Sequence, residues 1–149
     1  MSANRTAIIC SGYFDPLHVG HLDYLQYAAK YGDVWVIVNN DNQAALKKGK
    51  PFMPESERYL IIMALACVKW ATVSTSRNKT VNSDIRRLFS VLTELNYNKI
   101  YFAKGGDSTK DNVPEQVICN GLGIEILWGV GGKKIQSSSA LTGLAKLNE

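Results

Sequence analysis

The chain has few cysteines, and the three that it has form no metal-binding pattern. Cys10, Cys67 and Cys119 lie far apart within apolar runs, and no Cys-x-x-Cys pair occurs. This spacing argues against a cysteine metal site or a disulfide framework. We therefore expect three reduced cysteines in the core.

Long hydrophobic runs, a secretion signal, internal repeats and low-complexity tracts are also missing from the sequence. A membrane-spanning helix needs about 20 predominantly apolar residues, and a signal peptide needs charged, apolar and small-residue regions in succession. We therefore expect a cytoplasmic protein without a membrane partner. The 149 residues, 46% of them hydrophobic, predict one domain over 1–149.

Short apolar runs rich in β-branched and aromatic residues recur five times, and helical patterns separate them. Such runs are typical of buried strands. The predicted strands are 7–10, 34–38, 70–73, 100–103 and 124–128, and the predicted helices are 18–31, 54–68, 83–95, 113–120 and 137–147. This alternation favours a parallel sheet with right-handed crossovers. The sequence predicts an α/β fold, a Rossmann-like doubly wound five-stranded parallel sheet in the order 3-2-1-4-5.

Two of the helices have patterns that fix more detail. The fourth is predicted to begin at Asn112, with Glu115 in capping-box position, and to end at Gly121. The third has the clearest helical period, so one stripe of its side chains should pack on the sheet. That stripe consists of Ile85, Leu88, Phe89, Leu92 and Leu95.

Basic residues are concentrated in the segments that follow the predicted strands. These segments contain nine basic residues and four aspartates, whereas the whole chain has a net charge of +4. Ligands of such sheets bind beyond the carboxyl ends of the strands, where strand order reverses. A compact polyanion such as a nucleoside triphosphate fits this pattern better than a nucleic-acid duplex. Lysines also favour exposed loops in general, which is a second interpretation. The nine residues are Lys47, Lys48, Lys50, Arg77, Lys79, Lys104, Lys110, Lys133 and Lys134.

The stretch 11–21 joins the first predicted strand to the first predicted helix. Gly12 allows a tight turn, and Pro16 presets φ just before the helix. His18 and His21 are the only histidines, and their spacing of three places both rings on one helix face at the positive end of the helix dipole. Together with the backbone N–H groups at the helix start, they predict an anion pocket. Histidines also cap helices, so the spacing alone leaves both interpretations open.

Several motifs in the chain resemble those of one family. The stretch Gly-Tyr-Phe-Asp-Pro-Leu-His-Val-Gly-His covers 12–21, Lys-Gly follows at 48–49, Pro-x-x-Pro-x-x-Glu-Arg covers 51–58 and Lys-Gly-Gly-Asp covers 104–107. Three serines precede the last predicted helix at 137–139. Together these motifs resemble the cytidylyltransferase-like nucleotidyltransferases with a His-x-Gly-His signature, and most of all the bacterial heptose-phosphate adenylyltransferase domain.

The resemblance implies a nucleotidyltransferase that moves a nucleoside monophosphate from a nucleoside triphosphate to a phosphorylated small acceptor and releases pyrophosphate. It implies catalytic roles for His18, His21, Lys48 and Arg58, with Mg²⁺ bound to the triphosphate, no protein metal ligand, and a homodimer. The acceptor's phosphate oxygen is already anionic, so no side chain has to deprotonate it. The reaction needs two anions to be aligned and the charge at the α-phosphorus to be stabilised.

The same resemblance implies a nucleotide-binding set at the strand ends. The loop 13–15 would approach the nucleotide through backbone groups, and the serines would hold the β- and γ-phosphates at a helix start. An ordinary N-cap for the serines and a simple turn at 104–107 are alternative interpretations. The implied set is Gly12, Tyr13, Phe14, Asp15, His18, His21, Lys104, Gly105, Gly106, Asp107, Ser137, Ser138 and Ser139.

Three alternatives stay open. We expect ATP and a sugar phosphate as substrates, but a cytidylyltransferase that uses CTP with glycerol phosphate or another alcohol phosphate is the nearest alternative. The loop before the serines lacks the Arg-Thr pair typical of the glycerol-phosphate group, and Ala140 stands where the last motif commonly has lysine. A nucleotide-binding module without catalysis and a nucleic-acid-binding protein are the other two.

Overall fold

Five parallel strands form a single sheet in a computed structural model that describes residues 4–106 and 113–131. The strands are β1 (Thr6–Gly12), β2 (Asp33–Val38), β3 (Val68–Val73), β4 (Lys99–Gly105) and β5 (Glu125–Val130). Their order across the sheet is β3-β2-β1-β4-β5. The predicted fold class and strand order are therefore confirmed, and every predicted strand overlaps an observed one.

The helices of the described residues agree with the prediction at four places and differ at one. They are α1 (Val19–Ala28), α2 (Asp41–Lys48), α3 (Glu55–Met63), α4 (Asn82–Glu94) and α5 (Gln116–Leu122). The helix predicted over 137–147 lies outside the described residues. The predicted helix over 54–68 was too long: α3 ends at Met63 with Ala64 as its C-cap, and Val68 already pairs with Val34 as the first residue of β3.

Helix α2 lies in the segment 39–53, for which the sequence pattern predicts no helix. A capping box begins it: the Asn40 side chain accepts a hydrogen bond from the Gln43 N–H, and the Gln43 side chain accepts one from the Asn40 N–H. Asn-x-x-Gln is a recognisable helix start, and Lys47 and Lys48 suit its last turn. The capping box is visible in the sequence, but the segment 41–48 has too few apolar residues to show a helical period.

The predicted capping box of α5 is wrong. Glu115 is the N-cap residue but makes no side-chain cap bond, because its buried carboxylate lies 3.6 Å from the Lys104 ammonium instead. The helix ends at Leu122, followed by Gly123 in the left-handed region, and not at Gly121. Asn112, the predicted first residue, lies outside the described residues.

Two apolar cores cover the two faces of the sheet. Ile8 and Cys10 of β1 face the core shared with α1 and α3, whereas Ile9 faces the core shared with α4 and α5. The predicted stripe of α4 is confirmed for Ile85, Leu88 and Leu92, which are buried, and for Phe89, which packs partly buried against them. Leu95 was wrongly included: it is 42% exposed, because α4 ends at Glu94 and Leu95 is its C-cap.

The carboxyl ends of β1 and β4 lie side by side at the point where strand order reverses. The chain leaves β1 toward α1 on one face and leaves β4 toward α5 on the other, which opens a crevice between the two strand ends. Within the described residues, no helix has the length and apolar content that a membrane span requires.

Candidate active site

The turn between β1 and α1 is held in an unusual conformation. Phe14 has a positive φ of 51°, a strained value for a residue with a bulky side chain, and its ring is only 2% exposed. The ring packs directly on Gly12, where an added Cβ would lie 2.9 Å from Phe14 Cζ. The close approach of this ring therefore requires glycine at position 12, whereas the backbone does not, since Gly12 is the last residue of β1 and its φ is not positive.

His18 and His21 lie together at the start of α1, as predicted. His18 is the N-cap residue, and its Nδ1 accepts a hydrogen bond from the Gly20 N–H at 3.1 Å. The His21 Nδ1 accepts one from the His18 N–H, also at 3.1 Å. The two rings stack with centroids 3.9 Å apart, and the edge of Phe14 contacts His21. The histidines are thus a helix cap, which was the alternative interpretation, and at the same time a pair of stacked rings, with 26° between their planes.

The capping bonds determine which ring nitrogen carries the proton. Because each Nδ1 is an acceptor, a neutral His18 or His21 must carry its hydrogen on Nε2; we assign this tautomer from the hydrogen-bond geometry. Each ring therefore has Nε2–H as its donor. Two such donors beside the positive end of a helix dipole can hold an anion.

Asp15 turns inward, although the sequence placed it among the nucleotide-binding residues. Its carboxylate is 0% exposed and lies 2.7 Å from the Lys48 ammonium. Burial alone would raise the pKa of Asp15, but hydrogen bonds from Lys48 and from the N–H groups of Phe52 and Met53 outweigh it, and the pKa lies below its ordinary value. The charged Asp15 carboxylate thus connects the turn after β1 to Lys48 and to residues 52 and 53.

Arg58 has the largest fully buried side chain among the described residues, and its guanidinium contacts three separate segments. Its guanidinium donates to the backbone oxygens of Met53, Tyr13 and Asn39 at 2.6–2.9 Å. It also forms a 2.7 Å ion pair with Asp41. These contacts connect the segments that follow β1 and β2 to the start of α3. The family resemblance singles out Arg58, but the sequence does not reveal the four oxygens to which its guanidinium donates.

Lys104 and Gly105 lie at the carboxyl end of β4, on the other side of the crevice. Lys104 pairs with the buried Glu115, whose pKa is raised by burial and lowered in part by the Lys104 charge. Among residues 4–106 and 113–131, a Cβ added to Gly105 would meet no atom within 4 Å, and Gly106 is exposed. The predicted residues Asp107 and 137–139, and the basic residues Lys110, Lys133 and Lys134, lie outside the described residues.

Other members of the predicted basic set lie around the mouth of the crevice or at the surface. The Lys47 ammonium lies over the Tyr13 ring, 4.4 Å from its centroid. Lys50, Arg77 and Lys79 are exposed.

Sequence reasoning missed two residues that shape the crevice. Tyr24 of α1 donates a hydrogen bond to the Ala103 oxygen of β4 at 2.8 Å, which joins the two sides. Asp41 fixes the Arg58 guanidinium and donates its own N–H to Glu55. Asp41 is an acidic residue in the segment that follows β2, so a partner for Arg58 could have been sought there. The Tyr24 contact has no sequence signal.

Comparisons with known proteins agree with this geometry. A sequence profile described as "Cytidylyltransferase-like" matches residues 9–129. The bifunctional protein HldE of Geobacter metallireducens is 32% identical over 134 residues, which are 87% of this chain and 25% of that protein. The FAD synthase of Methanocella paludicola is 41% identical over 71 residues, which are 47% of this chain and 50% of that protein. The chain thus spans a quarter to a half of the length of these relatives.

A solved structure shows the same fold. The lipopolysaccharide core biosynthesis protein from Thermoplasma volcanium superposes with a TM-score of 0.63 at 24% identity, covering 88% of this chain and 98% of that one. The profile match starts in β1 and ends in β5, so it includes the histidine pair, Lys48, Arg58 and the end of β4. This chain therefore belongs to the cytidylyltransferase-like family.

Proposed function

We propose that this chain is a nucleotidyltransferase that transfers AMP from ATP to a phosphorylated small acceptor, such as a sugar phosphate, and releases pyrophosphate. The observation that carries the proposal is the stacked pair His18 and His21 at the start of α1, in which both Nδ1 atoms accept the capping bonds, so that the donor of each neutral ring is Nε2–H. Lys48 adds a positive charge to the same turn.

The proposed reaction needs no proton abstraction. An anionic oxygen of the acceptor's phosphate attacks the α-phosphorus of the nucleotide, a new P–O bond forms, and the bond to the β-phosphate oxygen breaks to release pyrophosphate. Negative charge grows on the α-phosphate and on the leaving group as this happens. His18, His21 and Lys48 would stabilise this charge, and Arg58, which is buried, would act by holding the loops in place.

We propose that the cation of this reaction arrives with the nucleotide. Residues 4–106 and 113–131 contain no group of three or more His, Cys, Asp or Glu side chains that could hold a metal ion. The carboxylates of Asp15 and Asp41 are already paired with Lys48 and Arg58. We propose that Mg²⁺, when bound, is held by the triphosphate oxygens and offsets their charge.

The remaining assignments are part of the same proposal. The turn 13–15 and the glycines Gly105 and Gly106 would lie against the nucleoside, Asp107 would contact the ribose or base, and the serines 137–139 would hold the outer phosphates. We also propose a homodimer, which light scattering of the purified protein would test. The similarity to an FAD synthase adds flavin mononucleotide, another phosphate ester, to the acceptors worth testing.

Pyrophosphate release tests the proposal directly. The purified protein is incubated with ATP or CTP and a panel of sugar phosphates, glycerol phosphate and flavin mononucleotide. We expect turnover with ATP and one acceptor class, and a loss of about 100-fold or more in kcat for His18→Ala and His21→Ala. Turnover with CTP alone would favour the cytidylyltransferase. Nucleotide binding without turnover would favour a binding module, and unchanged kcat in both variants would rule out the histidine assignment.

A further inference from the structure

Asp15 is a buried carboxylate whose oxygens are all engaged by the protein. Oδ2 accepts hydrogen bonds from the Lys48 ammonium at 2.7 Å and the Phe52 N–H at 2.8 Å, and Oδ1 accepts one from the Met53 N–H at 2.6 Å. The Asp15 backbone oxygen accepts a second bond from Lys48, at 3.1 Å. With a fully buried side chain, Asp15 has no oxygen directed at a ligand.

Lys48 is the last residue of α2, and only 12% of its side chain is exposed. Its ammonium group has three N–H donors, of which two point to oxygens of Asp15. A tetrahedral group with two fixed bonds has its third bond fixed as well. Asp15 therefore determines the direction of the remaining Lys48 donor. An unpaired lysine, with its four-carbon stem, would sample many orientations.

Asp15 also holds the segment 49–53, which connects α2 to α3. Two consecutive N–H groups of this segment, from Phe52 and Met53, donate to the carboxylate. The Met53 oxygen accepts from Arg58, while the Phe52 side chain is 55% exposed. The Asp15 carboxylate thus fixes both the Lys48 end of α2 and the segment 49–53. Asp15 itself is three residues before His18 in the sequence.

We propose that Asp15 is a positioning residue, which holds the Lys48 ammonium and the segment 49–53 so that Lys48 meets the phosphates of a bound nucleotide in one orientation. The inference rests on the proposed function. The Asp15 side chain would act on the nucleotide through Lys48 and would not contact the nucleotide itself.

A double-mutant cycle tests this inference. Asp15→Asn keeps the side-chain shape and removes the charge, and Lys48→Met removes the ammonium but keeps an unbranched stem. We expect Asp15→Asn to lower kcat about tenfold in the natural background and less than about twofold in the Lys48→Met background, because the second background lacks the group that Asp15 positions. An equal loss in both backgrounds, or no loss in either, would overturn the inference.

A matched control separates positioning from stability. Asp84 is another buried aspartate, 4% exposed, which accepts a hydrogen bond from Ser74 and pairs with Arg87. Asp84→Asn should lower the thermal midpoint as Asp15→Asn does but should leave kcat within about twofold. A drop in kcat for Asp84→Asn that matched that of Asp15→Asn would show a general effect of destabilisation and would overturn the inference.

Two further measurements cover the remaining outcomes. If the natural chain shows no turnover, the cycle is read from the dissociation constant of ATP with Mg²⁺; coupling there of about fivefold or more would keep the inference while the proposed reaction fails. Absence of coupling would overturn it.

If Asp15→Asn does not fold, Lys48→Arg retains the charge but changes its geometry, and we expect kcat about tenfold lower at an unchanged thermal midpoint. Unchanged kcat in Lys48→Arg would contradict the inference.

Discussion

Gly20, between the two histidines, has its side-chain position occupied by a neighbouring ring. A Cβ added there would lie 2.9 Å from the Cε1 atom of His18 and 3.1 Å from its Nδ1. The same ring accepts the Gly20 N–H bond that caps α1. Glycine at this position thus allows the His18 ring to fold back over the chain and to stack on His21.

We predict that Gly20→Ala lowers both stability and activity. The new methyl group would push the His18 ring away, break the capping bond and cost about 1 kcal/mol of unfolding free energy. The displaced ring should lower kcat about tenfold or more, measured by pyrophosphate release. Gly121→Ala in α5 is the control, since a Cβ there meets no atom of the described part of the chain within 4 Å, and it should be neutral or slightly stabilising. Full activity of Gly20→Ala would contradict this account of the ring.

The sequence predicted the positions of some of these side chains and not of others. The pattern identified His18 and His21 as neighbours because spacing along a helix fixes which side chains share a face. It could not determine that Asp15 and Arg58 point inward, because all but one of their hydrogen-bond partners lie 17 to 45 residues away in sequence. Nothing in a local pattern specifies such distant partners.

At the scale of the element, helix α1 combines capping and chemistry in one side chain. His18 occupies a position where Asn, Asp, Ser and Thr are preferred, and its imidazole performs the same capping bond. The capping function can be supplied by a shorter side chain, whereas the Nε2–H donor cannot.

Two substitutions at His18 should therefore separate stability from activity. His18→Asn keeps a cap acceptor, so its unfolding free energy in urea should stay within about 0.5 kcal/mol of the natural value. His18→Ala removes the cap and should lose about 1 kcal/mol. Both variants should lose nucleotidyl transfer to a similar extent. An active His18→Asn variant would mean that the ring serves only as a cap.

Helix α2 shows the limit of periodicity as a guide to elements. It is short, and of its eight residues only Gln43 and Ala44 are buried, so it has almost no apolar stripe. Its capping box and the Arg58 and Asp15 contacts at its two ends determine the helix. Helix α4, by contrast, was predicted almost to the residue because its apolar period is strong.

At the scale of the whole molecule, one sheet separates two cores, and each core contains a buried cysteine. Cys10 lies in the core beneath α1 and α3, and Cys119 lies in the core beneath α4 and α5. Both are 0% exposed, as predicted, whereas Cys67 is partly exposed. Burial raises the pKa of the Cys10 thiol and of the Cys119 thiol to about 12.

We predict that these two thiols react slowly and at the same rate. The thiolate is the reactive form, and neither buried group ionises near pH 8, so labelling requires the protein to open. Because the cores share one sheet, both should open together, while Cys67 is labelled first. Mass spectrometry of a time course with a thiol reagent measures this. Since both pKa values lie above the free value of 9.0, the folded state should also lose stability as pH rises above 9. Much faster labelling of either Cys10 or Cys119 would show that the cores open separately.

The sequence by itself determined the strands, most of the helices, the parallel sheet and the turn that contains the histidine pair. These features depend on local periodicity, on turn residues and on the fixed hand of crossovers, all of which act within a few residues or one connection. Only the tertiary structure decided what Asp15, Lys48, Arg58 and Glu115 do. A buried charge must find its partner in three dimensions, and that partner depends on how separate loops pack at the end of the sheet.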